Sequence, residues 1–286
     1  VLIGAFLSST PPFQNAMAMD ANRCGIPVVY GFCRGVGSVS YAAAVLLLGF
    51  VLERHAPTLL LPVFAALTAC GLLAMAGFRL PERPDEAADR PAEHRSIAAV
   101  LRSHPRFALT LLGCMFFFLT HTISNTYMNA LVGKAGGTAS AVGTSLAISA
   151  VLELPAMTLV SRLQKRFSPG FFLRFAAGAE VVKFLIFYLA HSMPFIYLGQ
   201  CMQFFQFAVY APATVYYVAA ALPERDQLKG QSLIYVAGSG LGGALGNLLG
   251  GRLLDRSGIQ AALLLGTVSA AASLLTFCLS TREDSR

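Results

Sequence analysis

The chain is 286 residues long, 56% hydrophobic and only 12% charged, with a net charge of +7. Ordinary globular chains carry about 25% charged residues, so a soluble protein of this size is excluded, and the mean hydropathy of +0.63 agrees. The Lys and Arg residues lie in short loops between apolar runs rather than on one basic face, which argues against a nucleic-acid partner. The lipid bilayer is the expected solvent for most of the chain.

Nine apolar stretches approach the roughly 20 residues that a membrane helix needs. They cover residues 1–19, 28–52, 57–78, 106–133, 138–161, 172–191, 193–222, 230–251 and 259–280. The breaks at 53–56 and at Ser192–Met193 are short, which predicts antiparallel neighbours on either side. Residues 79–105 are polar, mix acids with arginines and hold Pro81, Pro84, Pro91 and Pro105, the pattern of a soluble linker. The six Cys show no CxxC spacing and lie mostly within apolar runs, so they read as small buried hydrophobes rather than disulfide partners or metal ligands.

Loop charge orients the spans. Loops on one side hold sixteen of the 21 Lys and Arg, the other side holds Arg54, Lys134, Arg252 and Arg256, and Lys183 lies inside a span. The positive-inside rule then places the linker and the C-terminus in the cytoplasm and Val1 outside. The linker separates three spans from six, whereas transporters are often built from two equivalent halves. The expected organisation is 1–78 as the last three helices of an N-terminal bundle, 79–105 as a cytoplasmic linker and 106–286 as a six-helix C-terminal bundle. Three further helices upstream are expected to complete a twelve-helix protein, of which this chain is a fragment.

Ionisable side chains inside a span mark pathways or structural pairs, because each costs about 2.5–3.5 kcal/mol at mid-membrane. Glu153 lies deep in its span, and the adjacent Pro155 frees backbone carbonyls nearby. A functional carboxylate and a neutral Glu that joins two helices are both open. Glu180 and Lys183 stand three apart on one helix face. They form either a self-satisfied pair or a proton-coupling pair whose proton affinity changes as Lys183 moves. His121 and Asn125 lie one turn apart and either glue helices or contact a solute. Asp20, near a span end, reads as a solvated charge or a helix cap.

Four stretches carry a resemblance. Tyr30-Gly31-Phe32-Cys33-Arg34-Gly35-Val36-Gly37-Ser38 resembles the junction of the fourth and fifth helices of the major facilitator superfamily. Glu153-Leu154-Pro155 resembles the Glu-containing eighth helix, and Ser161-Arg162-Leu163-Gln164-Lys165-Arg166-Phe167 the basic loop after it. Lys229-Gly230-Gln231-Ser232, with the glycine row that follows, is similar to the start of helix eleven. The branch they resemble is that of the lactose-permease-like proton symporters and their nucleoside and phenylpropionate relatives.

The resemblance implies an all-α membrane protein whose nine helices correspond to helices 4–12 of twelve. It implies substrate contacts at Arg34, Glu153, Asn15, Tyr41, His121 and Asn125, with Glu180, Lys183 and Glu153 coupling the proton. Arg34 alternatively snorkels to the membrane surface, and Tyr41 alternatively sits at the interface. Several positions depart from the branch. Asn15 follows Pro12 where relatives have Asp, Phe32 replaces a basic residue, Lys183 replaces an arginine, and helix ten has no acid. Galactoside recognition is therefore not implied.

Gly238, Gly240 and Gly243 satisfy GxGxxG, with Asp255 downstream, but they lie inside an apolar span with no strand before them. Gly238, Gly242, Gly246 and Gly250 recur every fourth residue, which predicts a small-residue ridge for close helix packing. The sequence has no Walker loop, zinc-ligand set or catalytic triad. The expected partners are a small-molecule substrate and a proton, with no nucleotide, metal, cofactor or enzymatic step. The expected activity is secondary active transport, by proton symport of a sugar, nucleoside or organic acid, at the bacterial cytoplasmic membrane. Proton-driven drug efflux and a non-transporting truncated protein or sensor are the alternatives.

Overall fold

A backbone in lipid must satisfy its own hydrogen bonds, and from residue 28 onward each apolar stretch forms helix in the computed structural model. The structure describes residues 30–52, 57–77 and 96–281, together with Ala21, Gly25, Ile26 and Val28. The first apolar stretch, with Asn15 and Asp20, lies outside the described residues.

In chain order the helices are α1 (Tyr30–Leu52), α2 (Leu60–Ala76), α3 (Ile97–Ser103), α4 (Pro105–Thr126), α5 (Met128–Lys134) and α6 (Ala139–Leu163). They continue as α7 (Pro169–Leu189), α8 (Met193–Cys201), α9 (Phe207–Ala221), α10 (Glu224–Tyr235), α11 (Gly243–Ser257) and α12 (Ile259–Ser280). Among the described residues, five helical spans are long and apolar enough to cross a membrane: Pro105–Thr126, Ala139–Leu163, Met193–Ala221, Glu224–Ser257 and Ile259–Ser280. Helix α7 carries Arg174, Glu180 and Lys183, and α1 and α2 contain the shorter apolar runs Gly35–Leu48 and Leu61–Ala74. The protein is an all-α, multi-pass membrane protein.

Three segments differ from a simple span. Residues 106–133 are not one helix, because α4 ends at Tyr127 and α5 restarts at Met128. The span Met193–Ala221 is broken by a 3-10 turn at Met202–Phe204, after which Gln206 has φ −101° and ψ −94°. Between α10 and α11 the chain winds as a π-helix over Val236–Gly242. Proline does not mark these breaks, since Pro155 and Pro212 both lie inside helices.

Helix α4 is the central post, packed against α12, α11 and the π segment. Ser269 and Ser273 of α12 donate to the carbonyls of Phe116 and Gly113 on α4, at 3.0 and 2.9 Å. These bonds help hold two helices together where apolar contact alone gives no preference over lipid. The glycine row faces α4 from the other side. A Cβ at Gly238 would meet the Phe118 ring, at Gly242 the Met115 carbonyl, at Gly246 the Leu119 carbonyl and at Gly250 the Tyr127 ring.

Helix α3 is capped and packed against the core. Ser96 accepts from the Ala99 amide as N-cap of α3, and Val100 is buried against Phe107, Leu222 and their neighbours. This short helix docks because Val100, with Leu101 beside it, supplies the apolar anchor that the polar stretch before it lacks. Cysteines also differ from expectation: Cys114 is buried, but Cys33, Cys70 and Cys201 are exposed at the protein surface, all as free thiols.

Candidate functional site

Small residues place α1 against α6. Gly35 sits at Leu154 and Gly143 beside the Val45 carbonyl, so the two helices run antiparallel, with Ala42, Ala147 and Ala150 packed between them. This close approach carries Ser38 onto Glu153. The Ser38 hydroxyl donates to Glu153 Oε2, and both side chains are buried.

The break between α8 and α9 supplies the next partner. Gln203 lies in the 3-10 turn, and its Nε2 donates to Glu153 Oε1 at 3.0 Å. Its Oε1 accepts from Lys183 Nζ at 2.9 Å. Two charged neighbours thereby fix the amide's orientation, since the flipped amide would set NH2 against ammonium and carbonyl against carboxylate. Lys183 also stands 5.7 Å from the Phe187 ring centroid, a cation–π contact.

Glu180 does not pair with Lys183 through a hydrogen bond. Both of its carboxyl oxygens are buried without a hydrogen-bond partner among the described residues. Among the described residues the cluster holds two acids, Glu153 and Glu180, and one base, Lys183. With every group charged it carries one net negative charge, and one bound proton neutralises it.

A cavity of about 310 Å³ opens onto this cluster, within the roughly 300–1,000 Å³ range of small-molecule sites. Ser38, Tyr41, His121, Asn125, Glu153 and Gln203 all line it. His121 stacks on Phe207, with ring centroids 4.3 Å apart and planes 8° from parallel. Asn125 Nδ2 donates to the His121 carbonyl at 3.0 Å and lies 3.0 Å from His121 Nε2. The cavity thus combines an aromatic wall with convergent hydroxyl, amide and carboxyl groups.

Four of the sequence candidates, Glu153, Tyr41, His121 and Asn125, meet in this cavity. Lys183 reaches it through Gln203, while Glu180 stays behind. Arg34 lies on α1, but its side chain and all of Asn15 fall outside the described residues. Sequence reasoning missed Gln203, Ser38 and Phe207. Gln200, Gln203 and Gln206 recur every third residue in an otherwise apolar run and are all buried, which is the signal that was present for Gln203.

The model of the MFS_1-like family matches residues 1–265. The chain belongs to this family of the major facilitator superfamily. It is 28% identical to the maltose permease of Geobacillus stearothermophilus over 99% of this chain and 71% of the permease. It is 23% identical to the uncharacterized transporter YwbF of Bacillus subtilis (strain 168), over 90% of this chain and 64% of YwbF. Among solved structures, the superfamily transporter FucP in the outward conformation matches with a TM-score of 0.54 and 18% identity, over 80% of this chain and 59% of FucP. A variant of the E. coli fucose:proton symporter FucP gives a TM-score of 0.57 and 19% identity, over 85% of this chain and 64% of the symporter. At that identity the likeness establishes the fold. Membership of the major facilitator superfamily makes the chain a carrier type rather than an enzyme.

Proposed function

We propose that this protein belongs to a secondary active transporter that carries a small polar solute together with a proton, by alternating access. The observation that carries the reading is the cavity whose wall includes Glu153, tied by Gln203 to Lys183 in a buried cluster that needs one proton for neutrality. Sugars lead among the solutes, ahead of nucleosides and organic acids. A stacked His121–Phe207 wall beside amide and hydroxyl groups suits a ring with a polar rim, and two relatives are named for maltose and fucose.

In this reading α1 and α2 close the N-terminal bundle (1–78), residues 79–105 link it to the C-terminal bundle (106–286), and the nine apolar stretches are helices 4–12 of twelve. The C-terminus lies in the cytoplasm and the membrane is the bacterial cytoplasmic one. Lactose-permease-like proton symporters are the branch. Arg34 and Asn15 complete the substrate contacts with Tyr41, His121, Asn125 and Glu153, while Glu180 and Lys183 serve the proton. The glycine ridge of Gly238, Gly242, Gly246 and Gly250 lets the span Glu224–Ser257 slide along α4 as the bundles rock.

Glu153→Gln tests the assignment, because it keeps shape and hydrogen bonds but cannot titrate. Uptake of radiolabelled maltose by proteoliposomes containing the full-length protein should lose its pH dependence in this variant. An unchanged pH profile removes Glu153 from the mechanism.

A further inference from the structure

The two oxygens of Glu153 are not equivalent. Oε1 faces the Gln203 amide N–H, which only donates, whereas Oε2 faces the Ser38 hydroxyl, which either donates or accepts. Gln203 cannot turn over to accept, because Lys183 holds its carbonyl end. Of the two partners only Ser38 can accept a hydrogen bond from a protonated Glu153, which favours Oε2 as the seat of the proton.

We infer that Ser38 is a proton-read latch between α1 and α6: the proton binds Glu153 at Oε2, and the Ser38 bond that joins the two helices weakens when it does. This rests on the proton-coupled reading above and adds to it the atom that titrates and the contact that responds. With Glu153 ionised, Ser38 donates a charge-assisted bond, about twice as strong as a neutral one. When a proton passes from cavity water to Oε2, the new carboxyl O–H donates to the Ser38 oxygen. The Ser38 hydroxyl proton then turns to another acceptor, such as a carbonyl one turn back on its own helix, as Ser40 already does with Val36 at 3.0 Å. When the proton leaves to water, the original donor direction returns.

The surroundings make this bond decisive. Among the described residues, Ser38 to Glu153 is the one side-chain hydrogen bond between α1 and α6, and the rest of the contact is apolar, with Gly35 against Leu154 and Leu46 beside Ala42, Ala147 and Ala150. Such an apolar face offers no directional hold of its own. Among the described residues, the titratable groups near Glu153 are Tyr41 on α1, His121 on α4 and Lys183 on α7, with Glu180 beyond Lys183. From the broken span Met193–Ala221 it is the uncharged Gln203 that meets it. Among the described residues, Ser38 and Gln203 supply the two side-chain hydrogen bonds that reach the carboxylate.

The test uses the purified full-length protein in lipid and the proton itself as probe, by pH-titrated infrared difference spectroscopy. The protonated-carboxyl band that Glu153→Gln abolishes belongs to Glu153. In Ser38→Ala the ionised form loses its donor, so the midpoint of that band moves to higher pH by about one unit. Ser38→Thr restores the original midpoint, and Ser38→Cys, a weaker donor of similar size, shifts it part of the way. Ser38→Cys also serves if Ser38→Ala does not accumulate in the membrane. A midpoint unmoved in both Ser38→Ala and Ser38→Cys overturns the latch and leaves proton coupling through Glu153 standing. Absence of any band sensitive to Glu153→Gln overturns the latch and the Glu153 assignment together.

Discussion

Gly246→Ala against Gly178→Ala isolates what the glycine ridge contributes, because the substitution is the same and only the neighbours differ. A Cβ at Gly246 would stand 2.7 Å from the Leu119 carbonyl oxygen and 3.0 Å from Thr122 Cβ. Ordinary contact begins near 3.4 Å, so α11 and α4 must part by about 0.7 Å, and a backbone carbonyl cannot swing aside. Overpacking of this kind costs about 1–3 kcal/mol. At Gly178, inside α7, a Cβ meets nothing within 4 Å. There the gain in helix propensity, up to about 1 kcal/mol, stands alone. With about 2–4 °C per kcal/mol for a domain of this size, Gly246→Ala should melt several degrees below the parent and Gly178→Ala slightly above it. Size-exclusion recovery after graded heating of detergent-solubilised protein reads both. Equal melting temperatures would refute the close approach of α11 to α4.

Lys183→Met leaves two buried carboxyls without their cation and should destabilise the protein by about 3–5 kcal/mol at neutral pH. The loss should shrink as pH falls, since protons remove the uncompensated charge; a deficit that is the same at pH 5 and pH 8 contradicts the buried cluster. Asn125→Ala removes an exposed amide from the cavity wall, so the loss of one hydrogen bond should weaken maltose uptake about tenfold in apparent affinity while leaving the melting temperature unchanged. A fall in melting temperature with unchanged uptake would instead assign Asn125 to helix packing.

Helix positions were legible in the sequence because apolar length in a membrane protein translates directly into helix. The stretch 259–280 coincides with α12, and 138–161 matches α6 to within two residues at each end. Where two polar residues share a face at helical spacing, as His121 and Asn125 do, their meeting in one cavity also follows from the sequence. Breaks were hidden, because the chain bends at Met202–Phe204 and at Tyr127 without proline or glycine, while Pro155 and Pro212 stay helical. The same bend explains why Gln203 escaped notice: an uncharged amide in an apolar run gives no electrostatic signal, and its role comes from lying between Glu153 and Lys183. Ser38 was hidden for a related reason, since its partner is 115 positions away and small residues on both helices bring them together. Glu180 and Lys183 interact electrostatically as their spacing suggests, yet the Lys183 hydrogen bond goes to the Gln203 carbonyl, which spacing could not show.

The direction of proton movement tests the central claim most directly. Full-length protein is reconstituted into weakly buffered vesicles holding a pH-sensitive dye, and maltose or fucose is added outside. Proton-coupled symport predicts that the lumen acidifies as sugar enters, and that Glu153→Gln abolishes the acidification. Sugar entry with no pH change, or a lumen that becomes alkaline, would contradict the account.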